Sequence, residues 1–319
     1  MTEPSDLDAW DPVADPAAVA RLGELLDSAP GAPEVKRAHP LASWTTLKVG
    51  GAAALLVEPA EHDELTIVLR TIAAVGDVPM LAMGRGSNLL VSDDGFPGIV
   101  VRLGAGFGAI VRDGLRVTAG GAASMPVLAT FTANEGLAGL EFAAGVPASV
   151  GGSVRMNAGA HGGEVADHLV DVQLATADGV RTVPRDELGL SYRHSSLPTN
   201  AIVTAATWEL AADTTDAVRA RLDEVRAWRR ATQPIGERTC GSVFTNPDDD
   251  SAGRIIEASG LKGLRVGGAQ VSAMHANFIE TDPGARAADV LALVRAVQAR
   301  VLAAGGPRLR PEVRVVGHF

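Results

Sequence analysis

Two glycine-rich stretches carry residue types that could do chemistry. GVPASVGGSVRMNAGAHGGE, residues 145–164, holds six glycines and a single arginine, and GRGSN, residues 84–88, is a shorter version. Glycine lets a backbone approach a ligand closely, and Ser and Asn add donors at little bulk. Loops of this kind cradle phosphate through successive backbone N–H groups. Either loop alone could be a tight turn. Two of them, together with Gly50-Gly51 and Gly120-Gly121, point to an extended ligand such as a dinucleotide threaded between domains. Neither matches G-x-G-x-x-G or the P-loop, and no G-x-S-x-G, H-E-x-x-H or metal-spaced His/Cys cluster occurs. Elsewhere Arg193 stands beside Tyr192, the only tyrosine, and Ser242 follows Gly241. Glu312 and Arg314 share one face of an extended segment while Val313 and Val315 share the other. On spacing alone these are a surface charge, a turn serine and an edge salt bridge. The lone cysteine, Cys240, reads as a packed small residue.

The elements that must position these residues follow from pattern. Ala53–Val57 reads as a strand, 60–75 as a helix with Leu65, Val68, Leu69 and Ile72 on one face, and Val78–Met83 as a buried strand running into GRGSN. Strands are predicted at 99–103, 115–119, 169–175, 180–183 and 202–210, with a helix over 125–135. The stretch at 145–164 reads as neither helix nor strand. Past Leu210 the texture changes. A helix over 217–230 carries Val218, Leu222, Val225 and Trp228 as its stripe, and Pro234 closes it. A last helix is predicted to begin at Asp282-Pro283, and RPEVRVV (310–316) reads as a strand. The predicted units are 35–103, 104–212, 213–307 and a terminal strand, 308–319.

Composition sets further bounds. The 319 residues are 46% hydrophobic, enough for two or three cored domains. Most of the net charge of −10 sits in residues 1–34, which hold eight acids against Arg21 and read as an acidic extension containing a short helix over 17–28. The overall acidity argues against nucleic acid but not against a small anion held by local arginines. The longest uncharged run, 117–134, is broken by Gly120-Gly121 and Pro126, so no membrane span is expected. MTEPSDLDAW lacks the basic-then-apolar pattern of a signal peptide. With one cysteine, the expected location is the cytoplasm.

Longer words of the sequence go further. TTLKVGG (45–51), GRGSNLLVSDDGFPGIVV (84–101), the 145–164 stretch, SYRHSSL (191–197), TCGSVFTNP (239–247), AGRIIEASGLKGLRVGGAQVSAMHANFI (252–279) and LRPEVRVVG (309–317) strongly resemble the UDP-N-acetylenolpyruvoylglucosamine reductase (UDP-N-acetylmuramate dehydrogenase) family. The matches run in order from about residue 41 to 317 and leave only the acidic head outside. The resemblance implies an α+β protein: a two-domain FAD-binding fold of the vanillyl-alcohol-oxidase (PCMH) type, 35–103 and 104–212, plus a C-terminal α+β substrate domain. It implies non-covalent FAD, NADPH as reductant and UDP-N-acetylglucosamine enolpyruvate as substrate. The product is UDP-N-acetylmuramate, a peptidoglycan precursor, and no metal is needed. The chain is expected to act as a monomer.

The same resemblance assigns residues. Arg193 pairs with the substrate carboxylate and the developing enolate, Ser242 donates the proton, and Glu312 assists with the enol. Thr46, Gly50, Gly84, Arg85, Gly86, Ser87, Asn88, Leu89, Gly120, Gly145, Ser149, Gly151, Gly152, Asn157, Gly159 and Val203 hold FAD. Tyr192, Asn246 and Gln270 contact substrate. Thr232 and Thr245 stand where some relatives carry lysine, and His161 replaces a common tyrosine. The extra tyrosine of one subclass is absent, so the chain resembles the shorter one. Two rival readings are an oxidase of the same fold tethering flavin through His161 or His168, and a catalytically silent sensor of the UDP-sugar.

Overall fold

The apolar runs Ala52–Val57 and Phe96–Val101 are largely buried, as strands covered on both faces must be. They pair in parallel within a four-stranded sheet ordered 35–40, 52–57, 96–101, 80–82. The computed structural model to which they belong describes residues 9–319. Helix α1 (Pro16–Ser28) opens at Asp15, whose carboxylate accepts from the Ala17 N–H. It buries Val19, Leu22 and Leu26 in one cluster with Leu55, Val57 and the Leu65, Val68 and Leu69 of α2 (His62–Val75). The described part of the acidic stretch is therefore built into the first unit and is not an appendage. Two of its acids, Glu24 and Asp27, lie on the exposed side of this amphipathic helix, and counting charge without period hides the inner face. Residues 1–8 of that stretch lie outside the described residues.

The second unit is a five-stranded antiparallel sheet ordered 179–184, 169–176, 202–209, 116–120, 110–113. Helices α3 (Met125–Asn134) and α4 (Val150–Arg155) complete it. Helix α5 (Thr215–Thr232) also belongs here, because Val218, Leu222 and Val225 share a core with Leu128 and the fully buried Trp208. The boundary expected at 212 thus moves past residue 232. The change in texture after Leu210 marks the charged outer face of α5, not a new domain.

The third unit contains α6 (Ala252–Ala258), a small sheet of 265–266, 269–271 and 279–281, and α7 (Ala287–Ala303). Helix α7 starts later than Asp282-Pro283 suggests. Gly284, at φ +83°, takes a left-handed turn closed by Ala285 N–H donating to the Asp282 carbonyl at 3.1 Å. The first N–H groups of α7 instead donate to the Asp93 carboxylate, 2.8 Å from Ala287 and 3.1 Å from Ala288. The terminal segment is regular strand only at 314–316. There it pairs in parallel with 89–91 on one side and with 9–10 on the other, tying the third unit back to the first.

Candidate active site

The three units meet around a cleft of about 240 Å³ that continues into a second cavity of about 110 Å³. Gly84, Arg85, Ser149, Gly152 and Arg155 line both. The protein is acidic overall, yet Arg85, Arg155, Arg193, Arg229 and Arg314 line the larger cavity against one carboxylate, Glu312. A low-dielectric wall bearing one sign of charge concentrates ligands of the other sign.

GRGSN leaves the strand 80–82 with its backbone turned to the cleft. A Cβ at Gly84 would overlap Ser149 Oγ, so a side chain there would displace the hydroxyl that caps the opposite loop. The N–H groups of Gly84 to Asn88 donate to no protein acceptor among the described residues, and five free donors in a row fit a polyanion. The loop is pinned from outside the cleft, where Thr46 N–H donates to the Gly86 carbonyl at 3.2 Å. Across from it, the stretch read as neither helix nor strand contains α4, capped by Ser149, whose Oγ accepts from Gly152 N–H at 3.3 Å. Its glycines and short length conceal it from a periodicity test.

Arg193, Ser242 and Glu312 all face the larger cavity. Arg193 sits in a tight turn in which Ser191 and His194 exchange backbone hydrogen bonds, at a left-handed φ of +56° that is uncommon for arginine. Buried Asn157 holds that turn, donating from Nδ2 to the Ser191 carbonyl at 3.0 Å and accepting at Oδ1 from Ala166 N–H. The guanidinium then reaches Gly159 O at 2.8 Å and Glu312 Oε1 at 3.1 Å, and it lies 4.8 Å from the Tyr192 ring centroid. Burial pushes the Glu312 carboxyl above its ordinary range, and the Arg193 charge pulls the other way. Ser242 follows Gly241, whose φ of +75° turns the chain into the cleft. Asn277, 3% exposed, fixes the next residues by accepting from Val243 and Phe244 N–H and donating to the Phe244 carbonyl. Glu312 N–H donates to Val243 O at 2.7 Å, while Asn88 Nδ2 donates to Glu312 O at 3.0 Å. The backbone of the acid is thus clamped between the serine loop and GRGSN. Cys240 is buried, with its thiol pushed up to about 12 by desolvation, and cannot serve as a thiolate nucleophile near neutral pH.

Of the other residues expected at the site, Gly86, Ser87, Leu89, Gly145 and Gly159 line the larger cavity, and Gly151 and Val203 the smaller. Thr46, Gly50, Gly120 and Asn157 stand behind the walls: Gly50 against Val91, Gly120 against the Phe107 carbonyl, Asn157 as the brace just described. Tyr192, Asn246 and Gln270 do not line the cleft either. Tyr192 is 52% exposed beside Arg193, Asn246 Oδ1 accepts from Ala252 N–H at the start of α6, and Gln270 joins Arg265 to the Gly263 carbonyl. His161 packs edge-on against Trp228 and His168 lies against Gly139, so neither rival flavin tether lines a cavity. Sequence reasoning missed Ser153, Arg155 and Arg229 as lining residues. For Arg155 a signal existed, since it is the only charged side chain between 145 and 163. Among the described residues no His/Cys/Asp/Glu group could hold a metal ion, and no helix is long and apolar enough to cross a membrane.

Two abutting cavities, a row of free amides and several cations form a donor set that fits a flavin dinucleotide, and Ser153 Oγ, buried without a partner, offers one more. Comparison with known proteins agrees. Residues 53–183 match the FAD binding domain model, and residues 233–316 match that of the UDP-N-acetylenolpyruvoylglucosamine reductase C-terminal domain, which begins where α5 ends. The chain is 46% identical over 286 residues to the UDP-N-acetylenolpyruvoylglucosamine reductase of Anaeromyxobacter sp., covering 90% of each chain. It is 46% identical over 282 residues to that of Heliobacterium modesticaldum, covering 88% of this chain and 90% of the relative. The crystal structure of UDP-N-acetylenolpyruvylglucosamine reductase (MurB) from Thermus caldophilus superposes with a TM-score of 0.78 at 39% identity, over 90% of this chain and 100% of the other. The chain belongs to the UDP-N-acetylenolpyruvoylglucosamine reductase family and is an FAD-dependent oxidoreductase.

Proposed function

We propose that the protein reduces the enolpyruvyl group of UDP-N-acetylglucosamine enolpyruvate to UDP-N-acetylmuramate, a peptidoglycan precursor, with NADPH as the source of reducing equivalents. The observation that carries this reading is the convergence of Arg193, Glu312 and Ser242 on the cleft lined by GRGSN. A silent sensor has no need for a buried carboxyl, a forked cation and a hydroxyl at one point. Bound FAD supplies the hydride carrier between the two substrates. The protein's own groups do the rest. The Arg193 guanidinium holds the substrate carboxylate through two parallel N–H donors, and as hydride reaches the β-carbon it stabilises the negative charge on the enolate. Ser242 Oγ delivers the proton to the carbon alpha to the carboxylate. An alcohol suffices because the acceptor is a strongly basic carbanion. Glu312, locked to Arg193, orients that fork, and burial, which raises its carboxyl above the ordinary range, favours the protonated form that can offer a hydrogen bond to the enol.

The protein is further proposed to act as a monomer, in the cytoplasm where NADPH is available. The test is to mix the purified protein with NADPH and the enolpyruvyl UDP-sugar and follow absorbance at the NADPH band. Sugar-dependent oxidation with the muramate as product supports the reading. NADPH oxidation that ignores the sugar would overturn it.

A further inference from the structure

Two groups on α4 face the cleft without a part in the reaction above. The Arg155 guanidinium donates from Nη1 to the Leu197 carbonyl at 3.4 Å and from Nη2 to those of Pro198 and Ala201 at 3.1 and 2.6 Å. Its Nε–H and one hydrogen of Nη1 have no acceptor among the described residues. No carboxylate compensates its charge; the neighbouring charge that acts on it is another cation, Arg314. Burial, with a smaller push from Arg314, lowers its pKa to about 10, so it remains charged at neutral pH. Two residues earlier Ser153, 1% exposed, keeps its Oγ buried with no hydrogen-bond partner. A partly buried cation that has carbonyl partners but no counter-charge, and a buried hydroxyl with no partner at all, are both costly, and the free donors call for a partner the protein does not itself supply.

Position says which partner. Arg155 lines both cavities, as do Gly84 and Arg85 of the loop whose amides are free. A dinucleotide carries its charge in the middle, between two flatter ends. Where one cavity runs into the next, that middle is what the wall meets. We propose that Arg155 and Ser153 form an anchor on α4 for the diphosphate of FAD, opposite the GRGSN amides. The proposal rests on the FAD assignment and is independent of which sugar is reduced.

The test uses full-chain protein stripped of flavin and titrated with FAD, with flavin fluorescence as the readout. Arg155→Met is expected to raise the FAD Kd about 10–100-fold, the range for a lost charge-assisted hydrogen bond. Arg155→Lys should recover part of it. Ser153→Ala should raise Kd by roughly 5-fold, as for one neutral hydrogen bond. Because Arg155 also ties down residues 197–201, salt separates the two roles. A charge contact predicts that the gap between wild type and Arg155→Met narrows as ionic strength rises. A gap that salt leaves unchanged would make Arg155 a loop brace and overturn the proposal. So would an unchanged FAD affinity with a shifted flavin midpoint potential, which would put the cation at the ring. If Arg155→Met does not fold, Ser153→Ala decides: wild-type FAD affinity in that variant sinks the anchor.

Discussion

Ser242 and Arg193 lie 49 positions apart in sequence, and each has a role that one substitution can isolate. In the proposed mechanism Ser242 acts only when the proton is delivered, after flavin reduction. Ser242→Ala should therefore bind FAD and accept reducing equivalents from NADPH at close to the normal rate. Reoxidation by the UDP-sugar should slow by roughly 10²–10⁴-fold, the usual span for a positioned general acid, and Ser242→Cys should restore part of it. Stopped-flow absorbance reports the two halves separately, and a slow NADPH half would remove Ser242 from the role. For Arg193, preserving charge is not enough. It bonds Gly159 O and Glu312 Oε1 at once from a left-handed backbone, a geometry that a lysine ammonium cannot reproduce. Arg193→Lys should lower kcat/KM for the enolpyruvyl substrate by 10-fold or more, about 1.4 kcal/mol of transition-state binding. Unchanged kinetics would show that a point charge suffices.

The segment joining α6 to α7 shows how an element rather than a residue aims the serine. Asn277 holds Val243 and Phe244, and its own N–H donates to His275 Nδ1 at 3.2 Å. Only a neutral imidazole with a bare Nδ1 can accept that bond. Burial is the main cause holding the His275 pKa below its ordinary 6.5. The folded state thus binds fewer protons at this site than the unfolded chain, and the contribution is complete above about pH 6.5 and lost as pH falls below it. Chemical denaturation at pH 7.5 and pH 5 should show a smaller acid loss for His275→Gln, whose amide oxygen can accept at either pH. An equal loss would dismiss His275 as the cause. None of this was legible in sequence, where the segment appears only as a family motif. Elements with a clear period, α2 and the strands at 52–57, 169–176 and 202–209, were found within a few residues. Helix α4 was not, because Gly151 and Gly152 weaken its signal. Arg155 was overlooked for the opposite reason: one charge among many glycines draws little notice, although its isolation is the clue.

At the scale of the whole molecule, the two ends of the chain are joined. Strand 314–316 runs between 89–91 and 9–10; Gly317 N–H donates to the Trp10 carbonyl at 2.9 Å, and the Trp10 ring packs 5.3 Å from that of Phe96. Glu312 lies two residues before this strand. Charge counting marked residues 1–34 as an acidic extension, but the fold makes two distinct demands on the described part of them. Helix α1 supplies core, since Leu22 and Leu26 are 0% and 1% exposed. The short strand at 9–10 supplies an edge for the strand that follows Glu312 and, through Trp10, one ring against Phe96. Two truncations separate these roles. Removing residues 1–34 should destabilise the fold severely, because each fully buried aliphatic side chain contributes about 1.5–3 kcal/mol and α1 holds three in one cluster. Leu22→Ala alone should cost roughly 2–5 kcal/mol, measured as a fall in the denaturant midpoint. Removing residues 1–14 keeps α1 and should leave flavin content and reduction by NADPH near normal. The sugar half-reaction should slow several-fold, because the segment that bears Glu312 loses its outer partner while the GRGSN side stays intact. Full activity after the short deletion would show that the 89–91 pairing and the Asn88 clamp position Glu312 unaided. Full stability after the long one would contradict the packing of α1.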